Sequence, residues 1–439
     1  MIAIDSSEIV ALTGGSGDVE AAVEGITIDS RRVEPGDLFV ALRGTRTDGV
    51  AHVDEALKKG AVAALVPRGA SGRGRIEVDD VLDALAVVAR EVRLRSRARV
   101  VGITGSTGKT STKDILTSLL EPQVNVVASR QNENNELGVP LTLVRIERDT
   151  EVAVVEMAMR GMGEIAHLAT IAAPGIGVIT GVGPVHLELL GSVSRVAAAK
   201  AELLAALPAD GVAIVPYGEP LLAPHLAALR CPAMTFGSDP AADVRLVSFR
   251  REGAGGEAEI AVRGRTMSLP VSFTSQHNAV NLTAAVAVYD ALGLPLDDVA
   301  EGARSVTFSR WRGEEIALPG GGLLIADCYN ANPTSMRAAL VHLKDAADQR
   351  RRVAVLGDMA ELGPGAEAFH RQIGDLAREL GTELMIGIGP LARGYDGLWF
   401  ATVEEALEAL PDLLQPQDAV LVKGSRSMGL EAVVEAIAP

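Results

Sequence analysis

Val101-Gly102-Ile103-Thr104-Gly105-Ser106-Thr107-Gly108-Lys109-Thr110-Ser111-Thr112-Lys113-Asp114 joins three patterns in one short stretch. The apolar, largely β-branched run 100–103 reads as a buried strand of a parallel sheet, and 113–120 carries a helical pattern. Between them lies a glycine-rich turn. Strand, glycine-rich turn and helix together form the geometry that cradles phosphate. Glycine lets the backbone close in, successive N–H groups and the helix N-terminus face the anion, and lysine adds a point charge. Thr110 is placed to put its hydroxyl on Mg²⁺. The general P-loop spacing asks for glycine where Ile103 stands, so the stretch departs from that motif at this position. An ordinary glycine-rich turn is the competing reading. The run from Gly105 to Thr110, set between a clean strand and a clean helix, favours phosphate.

Composition narrows the setting. A chain of 439 residues has room for two to four domains, each with its own core. Hydrophobic residues make up 48% and charged residues 22%, an ordinary globular mix. With 41 Lys and Arg against 57 Asp and Glu the net charge is −16, which argues against nucleic acid or an anionic membrane as main partner. No apolar run approaches the roughly 18 residues a membrane span needs. Residues 1–15 lack a basic start followed by an apolar stretch, so a cytoplasmic protein is expected. Cys231 and Cys328 are too few and too isolated for a disulfide framework or a cysteine-rich metal site. Both read as core thiols.

In chain order, 1–98 forms a first α/β unit, with strands expected at 26–30 and 38–42 and helices at 52–59 and 81–96. Pro35-Gly36 marks a tight turn. Residues 99–308 form a central unit that opens with the phosphate loop. Its strands are expected at 124–128, 152–156, 177–180 and 212–215, the alternation of a doubly wound parallel sheet. Alternating polar stretches at 243–248, 258–263 and 267–273 suggest antiparallel strands at the sheet edge. Residues 277–292 read as a helix carrying Asn278 and Asn281. The chain crosses near 307–313 into a third unit, 309–439. Strands at 323–327, 353–357, 383–388 and 419–423 make it a Rossmann-like sheet.

Open α/β sheets bind ligands at the carboxyl ends of their strands, and several polar residues fall there. Glu156 ends an apolar strand, where a carboxylate is costly to bury without a cation. His186 follows the strand expected at 177–180, and Lys200 stands within Ala197-Ala198-Ala199-Lys200-Ala201-Glu202. Taken singly, each of these has an ordinary explanation, a loop histidine or a solvated helix lysine.

The whole set resembles the Mur ligases, ATP-dependent amide-forming enzymes of peptidoglycan precursor synthesis. The resemblance rests on Asp29-Ser30-Arg31 with Pro35-Gly36-Asp37, the Gly105–Thr110 loop, Asn132-Glu133-Asn134-Asn135-Glu136-Leu137-Gly138-Val139-Pro140 and Glu156-Met157. It continues through His186, Ala199-Lys200-Ala201-Glu202, His277-Asn278 with Asn281, Asp327-Cys328-Tyr329-Asn330-Ala331-Asn332-Pro333, Gly357-Asp358-Met359 with Glu361-Leu362-Gly363, and Lys423-Gly424-Ser425-Arg426. The runs at 329–333 and 357–363 resemble the member that joins D-alanyl-D-alanine to UDP-N-acetylmuramoyl-tripeptide. Two positions depart from the family pattern: Ala158 and Ser275 stand where glycine is usual.

The resemblance implies a three-domain α/β ligase, acting as a monomer through an acyl phosphate. ATP would be bound by Gly105, Ser106, Thr107, Gly108, Lys109 and Thr110, by Asn278 and Asn281 at adenine, by Arg312 at the phosphates and by Asp327 at the ribose. Lys109, Glu156, His186 and Lys200 would be catalytic. Thr110, Glu156, His186 and a carbamylated Lys200 would hold Mg²⁺, two ions in all. Ser30 and Arg31 would hold the UDP end of the substrate. The rivals are a ligase adding the third amino acid or a folyl-polyglutamate-type ligase, and, from another class, a P-loop kinase or nucleotide switch. The Asp-Asn-Pro-Arg run expected for diaminopimelate recognition is absent, which disfavours the first rival.

Overall fold

Strand-forming runs pair in chain order into successive sheets. The computed structural model describes residues 1–44 and 47–438. Thr45, Arg46 and Pro439, the last residue of the expected third unit, lie outside them. Beside a two-stranded antiparallel ribbon, Ile4–Asp5 with Ala22–Val23, the first of the three main sheets is wholly parallel, in the order Gly25–Thr27, Asp37–Val40, Ala63–Pro67, Arg75–Val78. Its first strand ends sooner than the expected 26–30. The Asp29 carboxylate accepts a bond from the Arg31 backbone N–H at 3.0 Å and turns the chain. Helix Val81–Arg95 is capped by Asp80, whose side chain accepts from Leu82 and Asp83 N–H. Its apolar face buries Leu85, Val88 and Val92 in a core shared with Val155, Ile165 and Leu168 of the central unit. Arg93 adds bonds to the carbonyls of Ala172 and Ala173 at 3.0 and 3.2 Å.

The central sheet has nine strands. From one edge inward run the antiparallel strands Arg265–Val271, Gly255–Val262 and Val244–Glu252, which confirms the expected polar, alternating edge. Parallel strands follow: Ala233–Gly237, Val212–Pro216, Ile176–Ile179, Arg99–Thr104, Val152–Glu156 and Val126–Ala128. The chain passes outward from Arg99–Thr104 on one side, then returns and continues on the other. That strand is therefore the topological switch point, where open α/β sheets leave a crevice at the carboxyl ends. Helices Lys109–Leu120 and Gln276–Ala291 pack together on one face, burying Ile115, Leu119, Leu282 and Val286.

The third sheet runs Glu314–Ala317, Leu323–Ala326, Ala419–Lys423, Arg352–Gly357, Leu384–Ile388, Leu398–Phe400. Only its first strand is antiparallel to its neighbour. The chain reverses direction across the sheet around Ala419–Lys423, so a second switch point faces the first. Both cysteines are buried and free, and burial pushes the Cys328 thiol up to about 12, as a core thiol requires.

The second and third sheets are tied by Glu315. One of its oxygens meets His342 Nε2 at 2.8 Å and also accepts from the Thr274 hydroxyl, while the other pairs with Arg251 at 3.0 Å. Burial raises the carboxyl pKa, but the hydrogen bonds from His342 and Thr274 outweigh it and hold Glu315 below its ordinary value. A depressed folded pKa contributes stability above the unfolded value near 4.5, lost as pH falls through the folded pKa. Glu315→Gln should therefore lower unfolding free energy by about 1–3 kcal/mol near neutrality. The gap from the native protein should shrink in denaturant titrations below about pH 4.5. A gap that stays constant from pH 7 to pH 3.5 would contradict this assignment.

Candidate active site

A cleft of about 1070 Å³ lies between the carboxyl edges of the second and third sheets. Its floor is the phosphate loop. Ser106 closes the turn, accepting from Gly183 N–H at 2.9 Å and donating to the Gly183 carbonyl at 3.1 Å. Lys109 arches back over the loop to the Gly105 carbonyl at 2.7 Å. Gly108 has φ +79°, and a Cβ there would stand 2.6 Å from Asn281 Oδ1. Only glycine lets the turn enter helix Lys109–Leu120 beside that side chain. The first amides of that helix have no carbonyl one turn back, so they and Lys109 face the cleft as anion donors. Two more helices, Gln276–Ala291 and Pro333–Ala346, bring their N-terminal halves to the same cleft through His277, Val280, Asn281, Thr334 and Ser335.

Three ionisable groups besides Lys109 lie at or beneath this floor. Glu156 is 1% exposed at the end of its strand. Its Oε1 accepts from Asn134 Nδ2 at 2.9 Å, while Oε2 is buried without a partner among the described residues. Lys200, 2% exposed on helix Val193–Ala205, sits behind the cleft wall. Burial, and secondarily the charge of Lys109, hold its amine well below the usual lysine range. Lys109 is itself lowered by burial, which the nearby Glu156 carboxylate opposes. His186 has φ +52° at the head of a short turn, and its Nδ1 contacts the Glu361 carboxylate of the third unit. Burial lowers its pKa against the pull of Glu361.

The opposite wall comes from the third unit. Arg312 stacks on the Tyr329 ring at 3.8 Å, and its Nε is buried without a partner among the described residues. Asp327 and the buried Lys423 pair at 2.7 Å, and Lys423 also holds the Asn330 carbonyl at 3.0 Å. Asn332 caps helix Pro333–Ala346 in a capping box with Ser335 and extends Nδ2 to the Ser106 carbonyl at 3.4 Å.

Ser106, Thr107, Gly108, Lys109, Thr110, Glu156, His186, Asn281, Arg312 and Asp327 thus line one cleft, with Lys200 behind it. Asn278 does not line it; its Oδ1 accepts from Asn281 Nδ2 at 3.1 Å, and His277 takes the place at the wall. Ser30 and Arg31 are also absent from the cleft. Ser30 donates to Glu55 at 3.3 Å, and Arg31, with its side chain 83% exposed, forks onto Asp29 at 2.8 Å. The residues whose roles the motifs left unassigned are the partners: Asn134 on Glu156, Glu361 on His186, Tyr329 under Arg312 and Lys423 on Asp327. Gly108→Ala should weaken affinity for a nucleoside triphosphate at least tenfold in calorimetry, since the added Cβ displaces the loop from Asn281 at about 1–2 kcal/mol of backbone cost. Unaltered affinity would show that the loop does not hold the phosphates.

Comparison with known proteins agrees with this geometry. Residues 22–103 match the model of the Mur ligase family catalytic domain, 103–289 the Mur ligase middle domain and 311–426 the Mur ligase glutamate ligase domain. A UDP-N-acetylmuramoyl-tripeptide–D-alanyl-D-alanine ligase from Synechocystis is 36% identical, over 97% of this chain and 94% of its own. The protein of that name from Escherichia coli is 32% identical, over 100% and 99%. Among solved structures, MurF from Acinetobacter baumannii superposes with a TM-score of 0.89 at 29% identity, covering 99% of this chain and 98% of its own. MurF ligase from Thermotoga maritima in complex with ADP gives 0.84 at 28%, covering 94% and 97%. Matched by family models over most of its length, and by relatives above 30% identity over nearly all of it, the chain belongs to the Mur ligase family.

Proposed function

We propose that this chain is the ATP-dependent ligase that joins D-alanyl-D-alanine to UDP-N-acetylmuramoyl-tripeptide through an acyl phosphate. The observation that carries the reading is one cleft between two sheets. There a phosphate loop, a buried carboxylate with an unpartnered oxygen and a buried low-pKa lysine converge, in a chain matched end to end by relatives of that name. The tripeptide carboxylate attacks the γ-phosphorus of ATP, breaking the bond to ADP. The amine of D-alanyl-D-alanine then attacks the acyl carbon, phosphate leaves with the bonding pair, and the amine proton is released.

The barrier in the first step is repulsion between two anions. Loop amides and Lys109 stabilise the β- and γ-phosphates as charge shifts toward them, and Arg312 approaches from the opposite wall. Asn281 would meet adenine, supported by its hydrogen bond to Asn278. Asp327, held by Lys423, would meet the ribose. Ser30 and Arg31 would take the UDP end, Arg31 exchanging Asp29 for the diphosphate. The same reading takes the protein to be a cytoplasmic monomer.

The residues present fit divalent cations. The unpartnered, buried Oε2 of Glu156 is an anionic oxygen that needs a positive neighbour. Thr110 and Glu156 would hold one Mg²⁺, and His186 with a modified Lys200 the other. Bound Mg²⁺ would supply neutralisation between the two anions. Lys200 suits carbamylation because its neutral amine is the nucleophile: nitrogen bonds to the carbon of CO₂, a proton is lost, and two oxygens replace a potential ammonium. Left as a cation, it would be repelled by Lys109, whose charge already acts on it.

Two measurements test this reading. Phosphate release should require ATP, the UDP-tripeptide and D-alanyl-D-alanine together, and Lys109→Ala should abolish it in a folded protein, with several kcal/mol of transition-state stabilisation lost. Release that is indifferent to the amine would favour the kinase or switch. Lys200→Ala should be nearly inactive and partly rescued by a short carboxylate added in solution. Full activity in that variant would return Lys200 to a structural role.

A further inference from the structure

The turn carrying Glu361 meets the turn carrying His186 across the boundary between the second and third units. The contact is built on both sides. Glu361 has φ +62° and His186 φ +52°, both outside the regions that non-glycine residues prefer. The Glu361 carbonyl accepts from Glu188 N–H at 3.2 Å. Two residues on, Gly363 has φ +62°, and a Cβ there would come within 3.2 Å of Glu188 Cα, so glycine is needed for the approach. One carboxylate oxygen of Glu361 contacts His186 Nδ1, and the other faces Arg160 at 3.4 Å. Two strained residues that face each other, joined by main-chain and side-chain bonds, form an over-determined contact rather than a chance surface pair.

A carboxylate only accepts, so Nδ1 of His186 carries the proton in this contact. In a neutral ring Nε2 is then left as the lone-pair nitrogen. A histidine whose far N–H is held by a carboxylate is fixed in tautomer and orientation for a cation. Here that carboxylate belongs to a different domain from the histidine.

We propose that Glu361 is a positioning residue that couples docking of the third unit to assembly of the second cation site on His186. The proposal rests on the two-cation reading above. With the third unit docked, Glu361 fixes His186. With it undocked, the ring is free to rotate and the site is incomplete, so ATP is not committed to transfer before the domain that carries Arg312 and Asp327 has arrived.

The test is a Mn²⁺ titration followed by electron paramagnetic resonance, with a non-hydrolysable ATP analogue and the UDP-tripeptide bound. The native protein should bind two ions. Glu361→Ala should weaken one of them about 10–100-fold and leave the other unchanged. Glu361→Gln, whose Oε1 can still accept from Nδ1–H, should stay close to native. In a His186→Ala background, Glu361→Ala should cost nothing further, because the pair acts as one unit. Should Glu361→Ala fail to fold, Glu361→Asp, too short to reach the ring from the same turn, carries the same expectation. Native Mn²⁺ affinity at both sites in Glu361→Ala, or a further loss in the His186→Ala background, would overturn the positioning role while leaving the two-cation reading standing. A native protein that binds fewer than two ions would overturn that reading, and the proposal with it.

Discussion

A carboxylate buried with one oxygen unpartnered is the constraint from which the rest of this structure follows. Glu156 ends a strand beside the switch point, and hydrophobic residues occupy every other position of that strand. Burial of an ion there is costly unless positive charge comes to meet it. Asn134 satisfies one oxygen from the 132–140 segment, and Lys109 lies close enough to feel the charge. The remaining oxygen is left without a partner among the described residues. A protein of net charge −16 thus places a lysine and the uncapped first amides of helix Lys109–Leu120 on the floor of its cleft, beside that carboxylate.

The second requirement is that the site be shared. Neither sheet carries a complete set of groups: the loop, Glu156, His186 and Lys200 belong to the central unit, and Arg312, Asp327 and Lys423 to the third. The boundary between them is polar and hydrogen-bonded, through Glu315 to Thr274 and Arg251, Asn332 to Ser106, and Glu361 to His186. Such contacts can be broken and remade in water at lower cost than an apolar core. His277 lies in the same boundary, its ring edge-on to His342 at 5.9 Å. Burial, then His342 and Lys423, pushes its pKa down to about 3, so it is a neutral wall of the cleft at any working pH. Closure of one unit on the other would exclude water from the acyl phosphate, which separate domains make possible.

Much of this was legible in the sequence wherever a chemical demand fixes residue types at short spacing. The strands at Val152–Glu156 and Ala419–Lys423 coincide with their expected bounds because each is an unbroken apolar run ending in a charge. The phosphate loop was readable because anion binding imposes glycine, lysine and a hydroxyl in order. Strands Ala63–Pro67 and Ala233–Gly237 were not anticipated, since short runs rich in alanine, or mixed with glycine, carry no clear period. Asn278 was expected at the adenine edge with Asn281, yet it is buried and bonded to Asn281, while His277, one turn before Asn281, reaches the cleft. The Glu361–His186 contact spans 175 residues, and no local pattern encodes a bond between domains.

The claim at the centre of this account is that the cleft brings the substrate carboxylate onto the γ-phosphorus of ATP. The most direct measurement is isotopic. UDP-N-acetylmuramoyl-tripeptide labelled with ¹⁸O in its terminal carboxylate is incubated with the protein, ATP and D-alanyl-D-alanine, and the released phosphate is analysed by mass. Passage through an acyl phosphate predicts one labelled oxygen in each phosphate formed. Phosphate free of label, released in step with ligation, would contradict the account.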